Sequence, residues 1–437
     1  MGLFDFFKKE VPISKKSYTT TLDAVYDYIN GASDPTDPAK DSNFLKNGFM
    51  GNPVVYRCVS EIAGAISHLT FEVVRSNANA EDVLEDPEHP LIALVAYPSP
   101  TESHFKFLNR LVKNYLIFGR AFIYAPSGDG EPPTSPAQGY EIIDPMKVSL
   151  SDDRHINGMP KYYEYAISDS VTKKFSIDMM TGHSAILGIY NPSPCYSLAG
   201  VSPLAPANRN FQTLNKSSEF NFSLVNNAAR PSGLLKTENE LSPDAYTRLV
   251  EHTKKFFTGT NNAGNVPLLE GGLEWQQTSL SPADMEFEGL TDKQVAFIAM
   301  VFGVPLPLVL TDAATYSNQR DARISLYEDT ALPIADYILE ELSSWLHKMG
   351  VDEKDSLRVN EDRISALSYR REQAFEKAKT GVESGILTIN EARKDLGYAE
   401  IPGMADVLMV PMGRTPIDAI TMDDDTNIDD VPIDDEV

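Results

Sequence analysis

The chain has 437 residues, 42% of them apolar, and a formal net charge of -25 at neutral pH. That length suggests roughly three domains, and the apolar share suffices for a packed core. So acidic a chain is not a conventional nucleic-acid binder, because gripping phosphates requires a basic surface; charge of this size keeps a large assembly soluble.

The chain opens MGLFDFFKKEV, without the long apolar core or small-residue cleavage site of a signal peptide. Phe6 stands where myristoylation wants Ser or Thr. Leu3, Phe4, Phe6 and Phe7 beside Lys8 and Lys9 read as a short arm that packs on its own assembly. Residues 1–48 as a whole are expected to form a flexible N-terminal arm, polar after position 8, with Asp-Pro pairs at 34–35 and 37–38. The one long apolar run, Val295 to Leu310, is too short for a bilayer and is broken by Gly303, Pro305 and Pro307. A soluble cytoplasmic product is expected. Cys58 and Cys195 lie far apart in no metal-like spacing and read as two buried thiols.

Asn52-Pro53 has the pattern of a helix start, with Asn as cap and Pro at the first helical position. Val55, Val59, Ile62 and Ile66 give that helix one apolar stripe. Leu69 to Arg75 alternates as a strand. A helix is expected from about Glu102 to Phe118, stopped by Gly119. Strands follow at Arg120 to Ala125, Tyr140 to Ile143, Lys147 to Leu150 and Tyr162 to Ile167. These make an α+β domain over 49–199.

Leu204 to Ala229 reads as one long helix. Its narrow apolar stripe (Ala207, Phe211, Leu214, Phe222, Val225, Ala229) is flanked by uncharged polar residues. Such a helix is poorly stable alone and makes sense packed among copies of itself. An insert over 233–287 should contain a helix starting at Ser242-Pro243 and ending near Phe257. A hairpin of Val266 to Leu269 with Leu273 to Thr278 should follow. Thr291 and Gln294 are spaced as a capping box for an apolar helix that stops at Gly303-Val304-Pro305. That helix is apolar on every side, so protein must cover it all round, and copies of the chain are a plausible cover. A long helix from Asn318 to about Met349 follows, with a kink expected at Pro333. A last helical unit runs from 363 to 413, with a capping box at Thr388 and Glu391 and a stop at Gly397. The remaining 414–437 is acidic and reads as disordered.

No phosphate loop ending in Gly-Lys-Ser/Thr occurs, nor His-Glu-x-x-His or Cys-x-x-Cys. Ser202, in Gly-Val-Ser-Pro-Leu, lacks the second glycine of a nucleophile elbow. A hydrolase built on Ser202 and His183 is therefore the weaker alternative, and His183 reads as a structural histidine. No catalytic residue, cofactor or metal is expected. Arg248, His252, Lys254 and Lys255 form a small basic patch on the insert helix, either a solvated face or a surface for an acidic partner.

Taken in order, Asn52-Pro53-Val54-Val55-Tyr56, Phe118-Gly119-Arg120-Ala121, Asp144-Pro145, Gly200-Val-Ser-Pro-Leu204, Arg230-Pro231-Ser232-Gly233, Gly303-Val304-Pro305, Tyr316-Ser317-Asn318 and Gly385-Ile-Leu-Thr-Ile-Asn-Glu-Ala-Arg393 resemble the portal proteins of tailed double-stranded-DNA bacteriophages. The resemblance spans about Asn52 to Pro411. It implies a multidomain portal fold assembled as a ring, usually a dodecamer, at one capsid vertex. By that resemblance 49–199 is the wing, 200–232 and 288–310 are the two stem helices, and 233–287 is the clip. The tunnel loop is 311–319, the long kinked helix returning to the wing is 320–362, and the crown is 363–413. Asp312, Thr315, Tyr316, Asn318, Gln319 and Arg320 would then face the DNA, Arg320 touching phosphate or pairing with a neighbouring subunit's acid. Phe211, Phe222, Phe297, Met300 and Val301 would pack subunits together in the stem. The implied partners are the chain itself, the DNA, the terminase large subunit, a head-completion or adaptor protein, the major capsid protein and a scaffold, with no membrane. Another oligomeric virion protein is the nearer alternative.

Overall fold

The computed structural model describes residues 38–76, 81–84, 86–126, 130–168, 170–194, 198, 200–226, 233–236, 242–257, 274–277, 287–310, 316–398, 400–403 and 406–408. They fall into two compact units, one ending at Asn360 and the other starting at Glu361.

The first unit begins with α1 (Pro38–Asn43), which runs directly into a π-helical turn, Phe44–Phe49. This corrects the expectation of a flexible arm as far as residue 48. Phe44 is buried, and buried Asp41 pairs with buried Arg120. An ion pair across that sequence distance is invisible to local pattern, whereas the Asp-Pro dipeptides are conspicuous. Residues 1–37 lie outside the described residues.

Helix α2 (Pro53–Ser67) is capped as expected: Asn52 Oδ1 accepts from the N–H groups of Val54 and Val55, both at 3.1 Å. Its stripe of Val55, Val59, Ile62 and Ile66 is buried. Two elements absent from the sequence reading come next, β2 (Glu81–Leu84) and α3 (Pro90–Ala96), after β1 (Phe71–Ser76). Helix α4 (His104–Phe118) is capped by Ser103 and closed by Gly119 at φ 71°. It packs on α2 and leads into β3 (Arg120–Tyr124), β4 (Glu141–Ile143), β5 (Val148–Leu150), β6 (Tyr162–Ser168), β7 (Val171–Ser176) and β8 (Ile186–Tyr190). These strands build two antiparallel three-stranded sheets, β4-β3-β8 and β5-β6-β7. Phe122, Tyr163, Phe175, Ile177, Ile186 and Tyr190 fill a shared core.

Helix α5 (Leu204–Asn226) has 23 residues and spans about 35 Å. Strand β9 (Gly233–Lys236), helix α6 (Pro243–Phe257) and strand β10 (Glu274–Gln277) follow. Strand β10 pairs antiparallel with β9; the first strand of the expected hairpin, residues 266–269, lies outside the described residues. Helix α7 (Phe287–Phe302) ends at Gly303, φ 67°. Because it begins at Phe287, Thr291 lies inside it rather than capping it.

The long helix comprises α8 (Tyr316–Ser325), a π-helical stretch (Leu326–Ala331) and α9 (Leu332–His347). Where a kink is expected at Pro333, the helix passes from the π stretch into α9, and Pro333 sits in the first turn of α9. Proline has no N–H and its ring crowds the carbonyl four residues back, and a widened turn relieves both problems. Strand β11 (Asp355–Val359) then pairs with β1, closing a sheet of order β11-β1-β2. Its register sets Arg75 opposite Asp355, whose buried carboxylate receives Arg75 Nε at 2.6 Å and Nη2 at 2.8 Å.

The second unit holds α10 (Ser368–Glu383) and α11 (Ile389–Asp395). The Thr388–Glu391 capping box is formed, and Gly397 takes φ 76°. Buried Asn390 ties α11 to the segment beyond it, donating to the Ile401 carbonyl and to Asp406.

Candidate functional site

The packed pair of α5 and α7, with the elements that hold its root, is the candidate functional site. The root forms where separate sequence motifs meet. Gly119, the stop of α4, lies directly against Gly200: a Cβ on Gly200 would stand 1.8 Å from the Gly119 carbonyl oxygen. Asn191 stitches the crossing, donating its N–H to the Gly119 carbonyl at 2.8 Å and its amide to the Val201 carbonyl at 2.6 Å. Ser202 Oγ donates to the Ile117 carbonyl at 2.6 Å and accepts from Leu204 N–H at 3.1 Å, starting α5. Ser202 is therefore a structural hydroxyl.

Two further ties fix α5 laterally. Asn52 Nδ2 donates to Asn215 Oδ1 at 2.8 Å, and Asn215 Nδ2 donates to the Asn47 carbonyl at 2.7 Å. Asn210 Nδ2 donates to Gln294 Oε1 at 2.7 Å, joining α5 to α7. At the far end of α7, Thr330 Oγ1 donates to the Gly303 carbonyl at 2.7 Å. A Cβ on Gly303 would lie 2.6 Å from that same hydroxyl oxygen, so the Gly-Val-Pro stop needs glycine for both its φ and its neighbour.

The faces of α7 separate clearly. Val295, Ile298, Ala299 and Phe302 are buried, while Phe297 is 46% and Met300 67% exposed. Residues three apart share a helix face, so Phe297 and Met300 form one apolar patch turned away from the chain's own core. On α5, Ala207, Phe211 and Leu214 are buried, and Phe222, further along the same stripe, is 69% exposed.

The residues singled out in the sequence are thus sorted. Phe222, Phe297 and Met300 are exposed and Val301 is half-buried. Phe211 is fully buried inside its own chain, which removes it from the set expected to pack between subunits; its ring reaches Gly48 of the π turn. Asp312 and Thr315 lie outside the described residues. Tyr316 opens α8, so the loop expected over 311–319 ends by residue 315, because Tyr316-Ser-Asn-Gln-Arg contains no breaker. Asn318, Gln319 and Arg320 are exposed in the first turns of α8. Arg248 is exposed on α6, and the side chains of His252, Lys254 and Lys255 lie outside the described set. The Asn52–Asn215 and Asn210–Gln294 amide pairs were missed in sequence. Their only signal was an excess of asparagine and glutamine along α5.

No nucleophile–base pair joins Ser202 and His183. His183 Nε2 bonds the Pro133 carbonyl at 2.8 Å, and burial holds the imidazole below its ordinary range, with Lys348 adding like charge. Burial pushes the Cys58 thiol up to about 12, so it is an inert core group. Among the described residues, no cluster of His, Cys, Asp or Glu can hold a metal, and no helix is long and apolar enough to cross a membrane.

The family model for phage portal proteins matches residues 53–397. The chain belongs to the phage portal protein family. Portal proteins are structural rather than enzymatic, and the chain has a portal channel role. The portal protein of Enterobacteria phage HK97 is 23% identical over 384 residues, 86% of this chain and 85% of its own length. A Rickettsia bellii (strain RML369-C) protein described as uncharacterized is 33% identical over 362 residues, covering 81% of this chain and 89% of its own. Among solved structures, a chain from the neck of a native gene transfer agent particle, computed with C12 symmetry, superposes with a TM-score of 0.59 at 26% identity. That match covers 83% of this chain and 94% of the other.

Proposed function

We propose that the chain assembles as a dodecameric ring at one vertex of a virion, after a stage in the host cytoplasm, and that double-stranded DNA passes through the ring. The observation that carries this reading is the exposed Phe297–Met300 patch in the second half of α7, where residues 295–302 are all apolar. An apolar patch on a rigid helix asks for a protein cover, and in a portal the adjoining copy supplies it. The proposed division is wing 49–199, stem helices 200–232 and 288–310, clip 233–287, tunnel loop followed by the start of α8, long helix to 362, and crown 363–413.

The ring acts as a shaped conduit and needs no chemistry of its own. Asp312, Thr315, Tyr316, Asn318, Gln319 and Arg320 are proposed to face the duplex. Mainly neutral and acidic contacts suit DNA that must slide, since strong phosphate neutralisation would hold it. The clip helix, with Arg248, His252, Lys254 and Lys255, is proposed to dock the terminase large subunit during packaging and a head-completion or adaptor protein afterwards. The major capsid protein and a scaffold are the proposed partners at the vertex.

Negative-stain electron microscopy of the purified chain, with its mass in solution, tests the ring. Rings with a central hole wide enough for a duplex of about 20 Å, and a mass near twelve copies, are the expected result. A monomer that stays monomeric with capsid and scaffold proteins added would overturn it.

A further inference from the structure

A second exposed apolar patch lies beside the root of the α5–α7 pair, on residues that the sequence alone marks as arm and helix start. The π turn Phe44–Phe49 delivers Phe49 against Tyr56 of α2, ring centroids 5.0 Å apart, and Lys113 of α4 caps Phe49 with its ammonium 5.9 Å from the centroid. Met50, 70% exposed, and Tyr56, 53% exposed, complete the patch. The turn is held rigidly: Gly48 packs under Leu204 and Phe211, and the Asn47 carbonyl accepts from Asn215.

This patch and the Phe297–Met300 patch are built on different elements, the π turn with the start of α2 in one case and α7 in the other. Tyr56 and its neighbour Arg57 diverge. Arg57 Nε donates to the Leu308 carbonyl at 3.3 Å, on the side where the chain leaves α7, whereas Tyr56 turns to the π turn and α4. A closed ring is built from a heterologous contact, in which one surface of each subunit meets a different surface of the next. Two unlike apolar patches on separate elements of one subunit supply the two surfaces that such a contact needs.

We infer that Met50 and Tyr56 of one subunit receive Phe297 and Met300 of the adjoining copy, so that the π turn after α1 is part of the ring contact. The inference rests on the ring reading above. The occupant is a second copy because the receiving patch is continuous, through Asn47–Asn215 and Gly48–Phe211, with the helix pair that forms the portal's stem.

A charge-complementation experiment tests it. Tyr56→Glu and Met300→Lys, made separately, are each expected to lower the fraction of chain in rings at least tenfold, measured by mass photometry with negative-stain imaging. The double variant is expected to restore rings, because opposite charges then face each other. Met50→Glu repeats the test on a side chain that makes no core contact, should Tyr56→Glu lose its helical circular dichroism. Ring formation at the unsubstituted level by folded Tyr56→Glu and Met50→Glu would overturn the inference and leave the ring reading intact. So would a double variant no better than the weaker single one. Absence of rings from the unsubstituted chain, with its viral partners present, would overturn both.

Discussion

Gly119 and Gly200 cross so closely that a methyl group on Gly200 would sit 1.8 Å from the Gly119 carbonyl oxygen, and one on Gly119 would sit 2.4 Å from the Ser202 nitrogen. Neither obstacle is a side chain that can swing away, so the backbone itself would have to move. Gly200→Ala is expected to destabilise the first unit by at least about 1–3 kcal/mol, the usual range for overpacking. Gly64→Ala is the control: it is helical with nothing within 4 Å of its Cβ position and should gain about 0.5–1 kcal/mol. Thermal midpoints of the two variants, moving in opposite directions, check the pair.

Asn52 performs two tasks with two atoms. Its Oδ1 caps α2, and its Nδ2 reaches Asn215 of α5. Asn52→Asp keeps the acceptor and loses the donor, whereas Asn52→Ala loses both. The alanine variant should cost about 1–2 kcal/mol for the cap, plus the loss of the amide tie. In Asn52→Asp, α2 should stay intact while hydrogen exchange near Asn215 quickens. Equal loss of protection in α2 and α5 in both variants would show that the two tasks are inseparable.

Phe211 and Phe297 separate folding from assembly. Phe211 is fully buried in its own chain and Phe297 is half exposed. Phe211→Ala should destabilise the subunit by about 3–5 kcal/mol. Phe297→Asp should leave circular dichroism and the thermal midpoint of the subunit nearly unchanged, yet abolish rings. Intact rings in electron micrographs of folded Phe297→Asp would contradict the role assigned to that face.

His183 sets a pH response. Burial lowers its proton affinity in the folded state below the ordinary value of 6.5. The unfolded chain therefore binds this proton more readily, and folding stability falls as pH drops below 6.5 toward the lower folded value, then levels off. Gln at 183 retains a donor for the Pro133 carbonyl without a titrating ring. His183→Gln should flatten the decline below pH 6.5 in urea denaturation curves. Asp355 acts in a more acidic window. Arg75 holds its carboxyl below the ordinary 3.8, so its contribution is full above that value and is lost as pH falls through the lower folded one. Asp355→Asn should be less stable near neutrality and less sensitive in that acidic window.

Much of this protein was legible in its residues taken in order. Helix starts and stops rest on local chemistry, namely an Asn-Pro cap at 52–53, left-handed glycines at 119, 303 and 397, and the Thr388–Glu391 box, and each stands where the pattern put it. The family resemblance rests on the same punctuation. Strands β8 and β11 escaped because they gain their stability from partners distant in sequence: β8 pairs with β3, and β11 is a strand because β1 lies beside it. The structure of 38–48 escaped for the same reason, since Asp41 needs Arg120 and Gly48 needs Phe211. Above all, the sequence by itself determined that residues 295–302, the second half of α7, are apolar on every side of their helix, because periodicity is a property of one helix. Only the tertiary structure decided which of those sides the chain covers for itself, with Val295, Ile298 and Phe302 turned inward, and which it leaves exposed, at Phe297 and Met300. That division depends on where α5 crosses, and a crossing is set by packing between elements rather than by the residues of either one.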